Sequence, residues 1–383
     1  MTVSEGGDQA GATAAIARPC HDRRVTLPPE HPWWVADTAN SRLVRAMRAQ
    51  SVDRPPVWFM RQAGRSLPEY REVRAGIPML DTCLDPSLAA EITLQPVRRH
   101  GVDAAIFFSD IVVPVKCAGV DVVITPGVGP VVADPFAEVT DLDRLPQPAP
   151  EMFDAVAEGV RQTVAQLGST PLIGFAGAPF TVASYLIEGG PSRDLPKTKA
   201  MMIRQPEMFA GLLGKLADLA SEFLRVQITA GASAMQLFDS WVGALPARLY
   251  RQHVLPHTMR VFEQVADLGV PRVHFGVGAN HLASDMAGAG CDVLGVDFRV
   301  DLDAVPTAIR SQLPLQGNLD PAVLLTDADT IEAEVRRVLA AGRALRGHVF
   351  NLGHGVLPDT PADNVTAAVR AVQEFGESFE GVA

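Results

Sequence analysis

The chain has 383 residues, 47% of them hydrophobic and 20% charged, which suits one large α/β barrel or two medium domains with a sizeable core. With 33 Lys and Arg against 44 Asp and Glu, the formal net charge is −11, so a polyanionic partner such as nucleic acid or an acidic membrane surface is disfavoured unless basic groups are concentrated locally. Aromatics are scarce at 6%, and the apolar content rests on Val, Ala, Leu and Ile, as in parallel sheets buried on both faces.

The first thirty residues are rich in Ala, Gly and polar groups, with Glu5 and Asp8 ahead of a short apolar run at 12–17. A signal peptide needs a basic start and a longer apolar stretch, so residues 1–40 are assigned to a disordered tail. No run reaches the roughly 18 uncharged apolar residues of a membrane span, and a soluble, cytoplasmic protein is expected. Residues 41–50 read as a short amphipathic helix that opens a single domain, 41–383.

From there a theme repeats: a brief apolar run ends in Gly, Ser, Asp or Asn, and a helical pattern follows. Candidate strands are 56–60, 103–109, 171–177, 233–239, 272–277, 293–298, 314–318 and 348–352, with helical periodicity in 206–230, 246–268, 330–341 and 361–375. Such alternation implies βαβ units and a parallel sheet, and about eight units is the number that closes a (β/α)8 TIM barrel. A doubly wound sheet is the rival, weakened because the sequence has neither GxGxxG after the first strand nor a P-loop. The Val-, Pro- and Gly-rich stretch 120–150 reads as a hairpin and connector inserted after the second strand. The cysteines, Cys20, Cys83, Cys117 and Cys291, are far apart and form no CxxC pair, so reduced thiols are the simpler expectation.

A closed parallel barrel carries its active site at the C-terminal ends of its strands. The polar residues at or just past those ends are Arg61, Arg65, Asp110, Tyr185, Ser240, Arg299, Asn318 and His354, a set rich in donors, poor in carboxylates and without a Lys or Cys nucleophile. Five arginines fall between Arg54 and Arg74. Guanidinium groups stay charged and pair bidentately with carboxylates, so the cluster suits a substrate bearing several carboxylates. Arg71 and Arg74 equally fit a solvated helix face paired with Glu69 and Glu72.

Asp110 stands between two apolar runs, where a carboxylate is costly unless it meets donors. It reads either as a cap of the next turn or as an acceptor aimed at substrate N–H groups. The loop 189–199 after Tyr185 fits a mobile lid or a purely geometric Gly-rich turn. His354, flanked by Gly353 and Gly355 after the last strand, is placed to face the cavity.

Together the motifs MRQAGRSLPEYR, FFSDI, GFAGAPFTVASYLIEGG, FDSWVGAL, QGNLDP and NLGHGVLP resemble the uroporphyrinogen decarboxylase family, over about residues 54–375. The resemblance implies a (β/α)8 barrel, a homodimer, a deep cleft, and cofactor-free, metal-free conversion of uroporphyrinogen III to coproporphyrinogen III in haem biosynthesis. It implies that Arg61, Arg65 and Arg74 bind substrate carboxylates and that Arg61 is a proton donor. Asp110 then accepts from the pyrrole N–H groups, and Tyr185, Ser240 and His354 complete the cleft. The catalytic set expected is thus Asp110, Arg61, Tyr185 and His354. Two departures from the family pattern are Ser66, where Tyr is usual, and His257, where an aromatic is common.

Two other classes compete. A zinc-dependent methyltransferase on the same barrel wants His-x-Cys on a strand and a later Cys, whereas this chain has His274, Phe275 and Gly276, and His354 at the late position. A non-catalytic tetrapyrrole carrier would keep the arginines but tolerate loss of Asp110, Tyr185 or His354, all of which are present. A nucleic-acid-binding role is disfavoured by the acidic balance.

Overall fold

The apolar runs become strands because each is bounded by residues that leave a ladder. A computed structural model describes residues 26–309 and 313–377. Its strands are β1 (Ala105–Ile106), β2 (Val122–Thr125), β3 (Gly129–Val132), β4 (Leu172–Gly177), β5 (Ala234–Asp239), β6 (Arg272–Gly276), β7 (Val293–Gly295), β8 (Leu315–Gln316) and β9 (His348–Val349). Seven form one sheet in the order β1-β4-β5-β6-β7-β8-β9, every neighbouring pair parallel. Most strands are shorter than the runs because the last residues leave the ladder to build the loops at the C-terminal face, whereas β4 and β5 keep the ends of their runs, Gly177 and Asp239.

The run 56–60 is reduced to a single bridge, between Val57 and Phe350. Pro55 and Pro56 have no N–H to donate, so a regular ladder cannot form there. Even so, the segment completes the circle. The Phe350 N–H donates to the Pro56 carbonyl at 2.8 Å and Trp58 N–H to the Phe350 carbonyl at 3.3 Å, while Asp103 N–H donates to the Val57 carbonyl at 2.8 Å. The eighth position therefore joins β9 to β1, and the sheet closes as the expected (β/α)8 barrel.

Alternating residues fill the interior, as the two-residue period of a strand requires. Trp58, Met60, Ile106, Ile173, Phe175, Val273, Phe275, Val293 and Val349 pack in one cluster with Leu43, Ala46 and Met47, which plug the N-terminal end from the helix Arg42–Met47. A polar chain crosses this core, Trp58 Nε1 donating to Gln316 Oε1 at 3.2 Å and Gln316 Nε2 to Gln236 Oε1 at 2.8 Å. A second, larger cluster lies between the strands and the surrounding helices.

The tail expected through residue 40 is revised in part. Residues 1–25 and Cys20 lie outside the described residues. Residues 26–40 are folded onto the barrel, with Trp33 only 2% exposed beneath Arg48. His31 bonds the Ile228 carbonyl at 2.8 Å, and the Thr38 and Ser233 hydroxyls meet at 2.7 Å. These anchors are single buried side chains without periodicity.

The inserted hairpin forms as expected, β2 pairing antiparallel with β3. It also meets the loop after Tyr185. Val132 N–H donates to the Gly189 carbonyl at 3.0 Å, and Glu188 accepts from the N–H and hydroxyl of Thr198 at 2.8 and 2.9 Å. The loop is fastened at its two ends, to the hairpin at Gly189 and to the helix Pro196–Arg204 through Glu188 and Thr198. Cys83, Cys117 and Cys291 are free, and no described helix is long and apolar enough to cross a membrane.

At the barrel seam, Asp103 accepts from both guanidinium nitrogens of Arg54 (2.7 and 2.9 Å), from Arg42 (2.9 Å) and from the Val57 N–H (2.8 Å). The Arg54 and Asp103 side chains are each 9% exposed. Removing one partner of a buried pair strands the other charge. Asp103→Ala is expected to cost about 3–5 kcal/mol in urea unfolding, whereas Asp53→Ala, on the exposed side of Arg42, is expected to cost under about 1 kcal/mol.

Candidate active site

The C-terminal face is built from loops that the barrel holds at both ends. Past the seam, Phe59 N–H donates to Gln62 Oε1 at 2.8 Å, Gln62 Nε2 donates to the Ala104 carbonyl at 3.0 Å, and Met60 N–H donates to Asn351 Oδ1 at 3.0 Å. The Val356 N–H donates to the Met60 carbonyl at 2.8 Å. The arginine loop is thereby pinned between the ends of the first and last strand positions. Both Arg61 (φ 64°) and Arg65 (φ 30°) adopt left-handed backbone around Gly64. For non-glycine residues this costs about 1–2 kcal/mol each. Two strained arginines in one loop show that tertiary packing, not local preference, sets where their side chains go.

Arg61 and Arg65 are accessible by area, yet the protein around them is dense enough that desolvation lowers both guanidinium pKa values, Arg65 to about 10. Accessible charges enclosed by protein mark a recess. Asp110 lies within electrostatic reach of both. Burial pushes its carboxyl above the ordinary carboxylate range; the Val112 N–H, Arg61 and Arg65 pull in the opposite direction. Its Oδ1 accepts from that Val112 N–H at 3.0 Å, so Asp110 holds the turn that follows it while it lies in the field of the two arginines. The Phe108 N–H, two residues earlier, is held by Thr93 Oγ1 at 2.8 Å.

Tyr185 projects from the helix Pro179–Glu188. Burial raises its phenol pKa, and its field is shared with Trp241, Asp110 and Arg61. Its ring meets Trp241 edge-on at 5.9 Å. His354 is lowered to about 4, by burial first, then by Arg61, so its imidazole is neutral near neutral pH. Its Nδ1 accepts from the Gly355 N–H at 2.7 Å, which places the remaining ring proton on Nε2.

Arg61, Arg65, Asp110, Tyr185 and His354 are thus brought together. Arg74 stands behind them, its guanidinium donating to the Tyr70 hydroxyl at 2.7 Å, while the Tyr70 ring packs 5.7 Å from Phe108. The Glu69 that sequence offered as its helix-face partner pairs with Arg99 instead, at 2.7 Å. Ser240 is half-buried just past β5, and its hydroxyl hydrogen-bonds none of the others among the described residues. Ser66 is buried, and His257 is half-buried on the helix Leu255–Gln264.

Two contributors escaped the sequence list. Trp241 follows Ser240, and its N–H donates to Thr181 Oγ1 at 3.2 Å while Thr181 donates to Asp239 at 2.8 Å. Asp297, 1% exposed, ends the apolar run after β7 and lies in the field of His354. The signal that singled out Asp110, a carboxylate closing an apolar run, was present for Asp239 and Asp297 too. Among the described residues, no group of three or more His, Cys, Asp or Glu side chains is arranged to hold a metal ion.

Comparison with known proteins supplies the context for this arrangement. The family model described as uroporphyrinogen decarboxylase (URO-D) matches residues 38–375. A uroporphyrinogen decarboxylase of Rhodococcus erythropolis is 58% identical over 338 residues, covering 87% of this chain and 95% of the relative. One from Streptomyces coelicolor is 57% identical over 335 residues, covering 88% and 94%. The chain belongs to the uroporphyrinogen decarboxylase family. It is a carboxy-lyase of porphyrin biosynthesis. Among solved structures, a methyltransferase from Methanosarcina mazei superposes with a TM-score of 0.74 over 87% of this chain and 98% of its own, at 23% identity. A B12-independent methionine synthase from Shewanella sp. W3-18-1 gives 0.51 at 11% identity, covering 84% and 95%. At those identities the likeness is one of fold.

A uroporphyrinogen decarboxylase must grip several carboxylates around one reacting group, and here position depends on close approach. A Cβ on Gly355 would collide with Cδ and Cγ of Arg61. Gly355→Ala therefore displaces the arginine. A misplacement near 1 Å costs about 10²-fold, so kcat/KM is expected to fall by that order while the thermal midpoint stays nearly constant. An unchanged kcat/KM means that Arg61 need not occupy this position.

Proposed function

We propose that this chain removes the four acetate carboxyl groups of uroporphyrinogen III as CO2, leaving methyl groups, with Asp110 facing the pyrrole N–H groups. The observation that carries this reading is a half-buried carboxylate just past a strand end, desolvated by the protein around it and in the field of Arg61 and Arg65, on the C-terminal face of the barrel.

The chemistry follows from the pyrrole acting as its own electron sink. Protonating a ring carbon makes a cation. The bond between the acetate methylene and its carboxylate then breaks, its electron pair flows into the ring, and CO2 leaves. A proton taken up by the exocyclic methylene and one lost from the ring carbon give the methyl product, with one proton consumed overall. An ionised Asp110 beneath the pyrrole nitrogens stabilises the cationic intermediate in a water-poor site. Arg61 and Arg65 hold the leaving acetate and its neighbours, with Arg74 contributing from behind Tyr70. His354 acts as a neutral Nε2 donor, Tyr185 presents its phenol beside Trp241, and Ser240 contributes its hydroxyl. Neither a metal nor an organic cofactor enters these steps. The reading extends to a cytoplasmic homodimer, as the family implies.

Anaerobic incubation of metal-chelated protein with uroporphyrinogen III, then chromatography of the oxidised products, tests this directly. A ladder from eight carboxyl groups to four supports the decarboxylase; substrate bound but unchanged supports a carrier. Asp110→Asn is expected to lower kcat by at least about 10²-fold, and near-normal turnover would remove Asp110 from its role. Because burial raises the Asp110 pKa and the ionised form is the active one, activity is lost as pH falls. The acid limb of kcat/KM should lie above the ordinary aspartate value of about 4.

A further inference from the structure

His354 divides the wall of the cleft. On one side, Gly355 packs against the Arg61 side chain. On the other, Gly353 is pressed on Phe298, where a Cβ would collide with the Phe298 N and Cα. The residue after Phe298 is Arg299, and its charge, like that of Arg61, acts on His354.

Arg299 is built like a binding group. Its Nη1 donates to Asp297 Oδ2 at 2.5 Å, and its main-chain N–H donates to Asp297 Oδ1 at 2.9 Å. Asp297 is itself fixed, 1% exposed and accepting at Oδ2 from the Gly278 N–H at 3.0 Å. The guanidinium lies over the Phe298 ring, 4.3 Å from its centroid. The side chain is nevertheless 50% exposed, and among the described residues its Nε and Nη2 make no hydrogen bond. An ordinary surface pair joins two solvated, mobile side chains. Here a buried carboxylate and an aromatic face hold one part of a planar fork and leave Nε and Nη2 without a partner among the described residues. Such preorganisation reduces the entropy lost on binding an anion.

We propose that Arg299 is a further substrate-binding residue, gripping a non-reacting propionate carboxylate of the tetrapyrrole at the rim of the cleft. The proposal rests on the decarboxylase reading. All three arginines are accessible by area, but Arg61 and Arg65 share the field of Asp110, where the acetate must react, which leaves Arg299 for a peripheral carboxylate. His354, whose pKa is lowered first by burial and then by Arg61, also feels the Arg299 charge, opposed by its partner Asp297, so Arg61, Arg65 and Arg299 all act on one imidazole.

The test is steady-state kinetics of wild type, R299Q and R299K with uroporphyrinogen III, with thermal midpoints measured alongside. R299Q is expected to raise KM about tenfold, the loss of one charge-assisted pair, with kcat within about twofold because the grip is uniform rather than specific to the transition state. R299K keeps the charge without the fork and should recover part of the loss. With an analogue whose propionates are replaced by ethyl groups, wild type and R299Q should share one KM. Equal KM values for all three proteins on uroporphyrinogen overturn the assignment, as does a fall in kcat at constant KM. If wild type itself does not turn over uroporphyrinogen, the decarboxylase reading fails; if it does and R299Q matches it, only the role of Arg299 fails.

Discussion

The barrel depends on one carboxylate. Asp103 stands at the seam where the sheet closes, and the adjoining strand position begins with Pro55 and Pro56, which bring no N–H of their own. The ladder there consists of one bridge and a few hydrogen bonds. Asp103 supplies what is missing. Its main-chain N–H donates to the Val57 carbonyl, its side chain accepts from the Val57 N–H, and the same carboxylate gathers Arg54 and Arg42. A charge with four donors on it is well satisfied despite its burial. The loop that starts four residues after Val57 carries Arg61, so the geometry of the site is inherited from this seam.

The site balances charges and strain against each other. Asp110 is unfavourable as a buried anion, and Arg61 and Arg65 are unfavourable as enclosed cations; the three lie in one field and partly offset one another. The arginines reach that field only through left-handed backbone, which the Gln62 and Asn351 hydrogen bonds and the contact with Gly355 hold in place. A chain free to relax would move these groups into water. Holding them assembled in advance is what gives electrostatic stabilisation of a developing cation its effect, since little reorganisation remains for the reaction to drive. His354 is kept neutral first by burial and then by the same cations, so in the proposed mechanism it can donate a hydrogen bond without adding to the positive charge.

Much of this was legible because barrel strands have a simple signature. A buried run such as 171–177 or 233–239, ending at a turn residue and followed by a helical period, locates both a strand and the rim position after it. Arg61, Asp110, Tyr185 and His354 were found on that logic, and the structure brings them together. Other features left no such trace. Trp33, His31 and Thr38 are single side chains fitted to distant surfaces, so the folded stretch 26–40 resembled tail. Arg74 was open between substrate binding and a solvated helix face, and its partner is Tyr70, one turn earlier in the helix that Arg74 caps. The loop after Tyr185 is held by the hairpin at Gly189, a pairing of segments more than fifty residues apart.

Periodicity and local chemistry follow from bonded neighbours and therefore belong to the sequence alone: the alternation of strands and helices, the hairpin Val122–Val132, the arginine-rich loop, and the family to which the motifs point. Closure at a proline-interrupted strand, the left-handed arginines, the tautomer of His354 and the anchoring of Arg299 by Asp297 were decided only by the tertiary structure. Each depends on atoms brought close from distant parts of the chain or by the exact path of a loop, and on the loss of water between them. Burial and through-space charge have no linear signature, so they exist as determinants only once the barrel has closed.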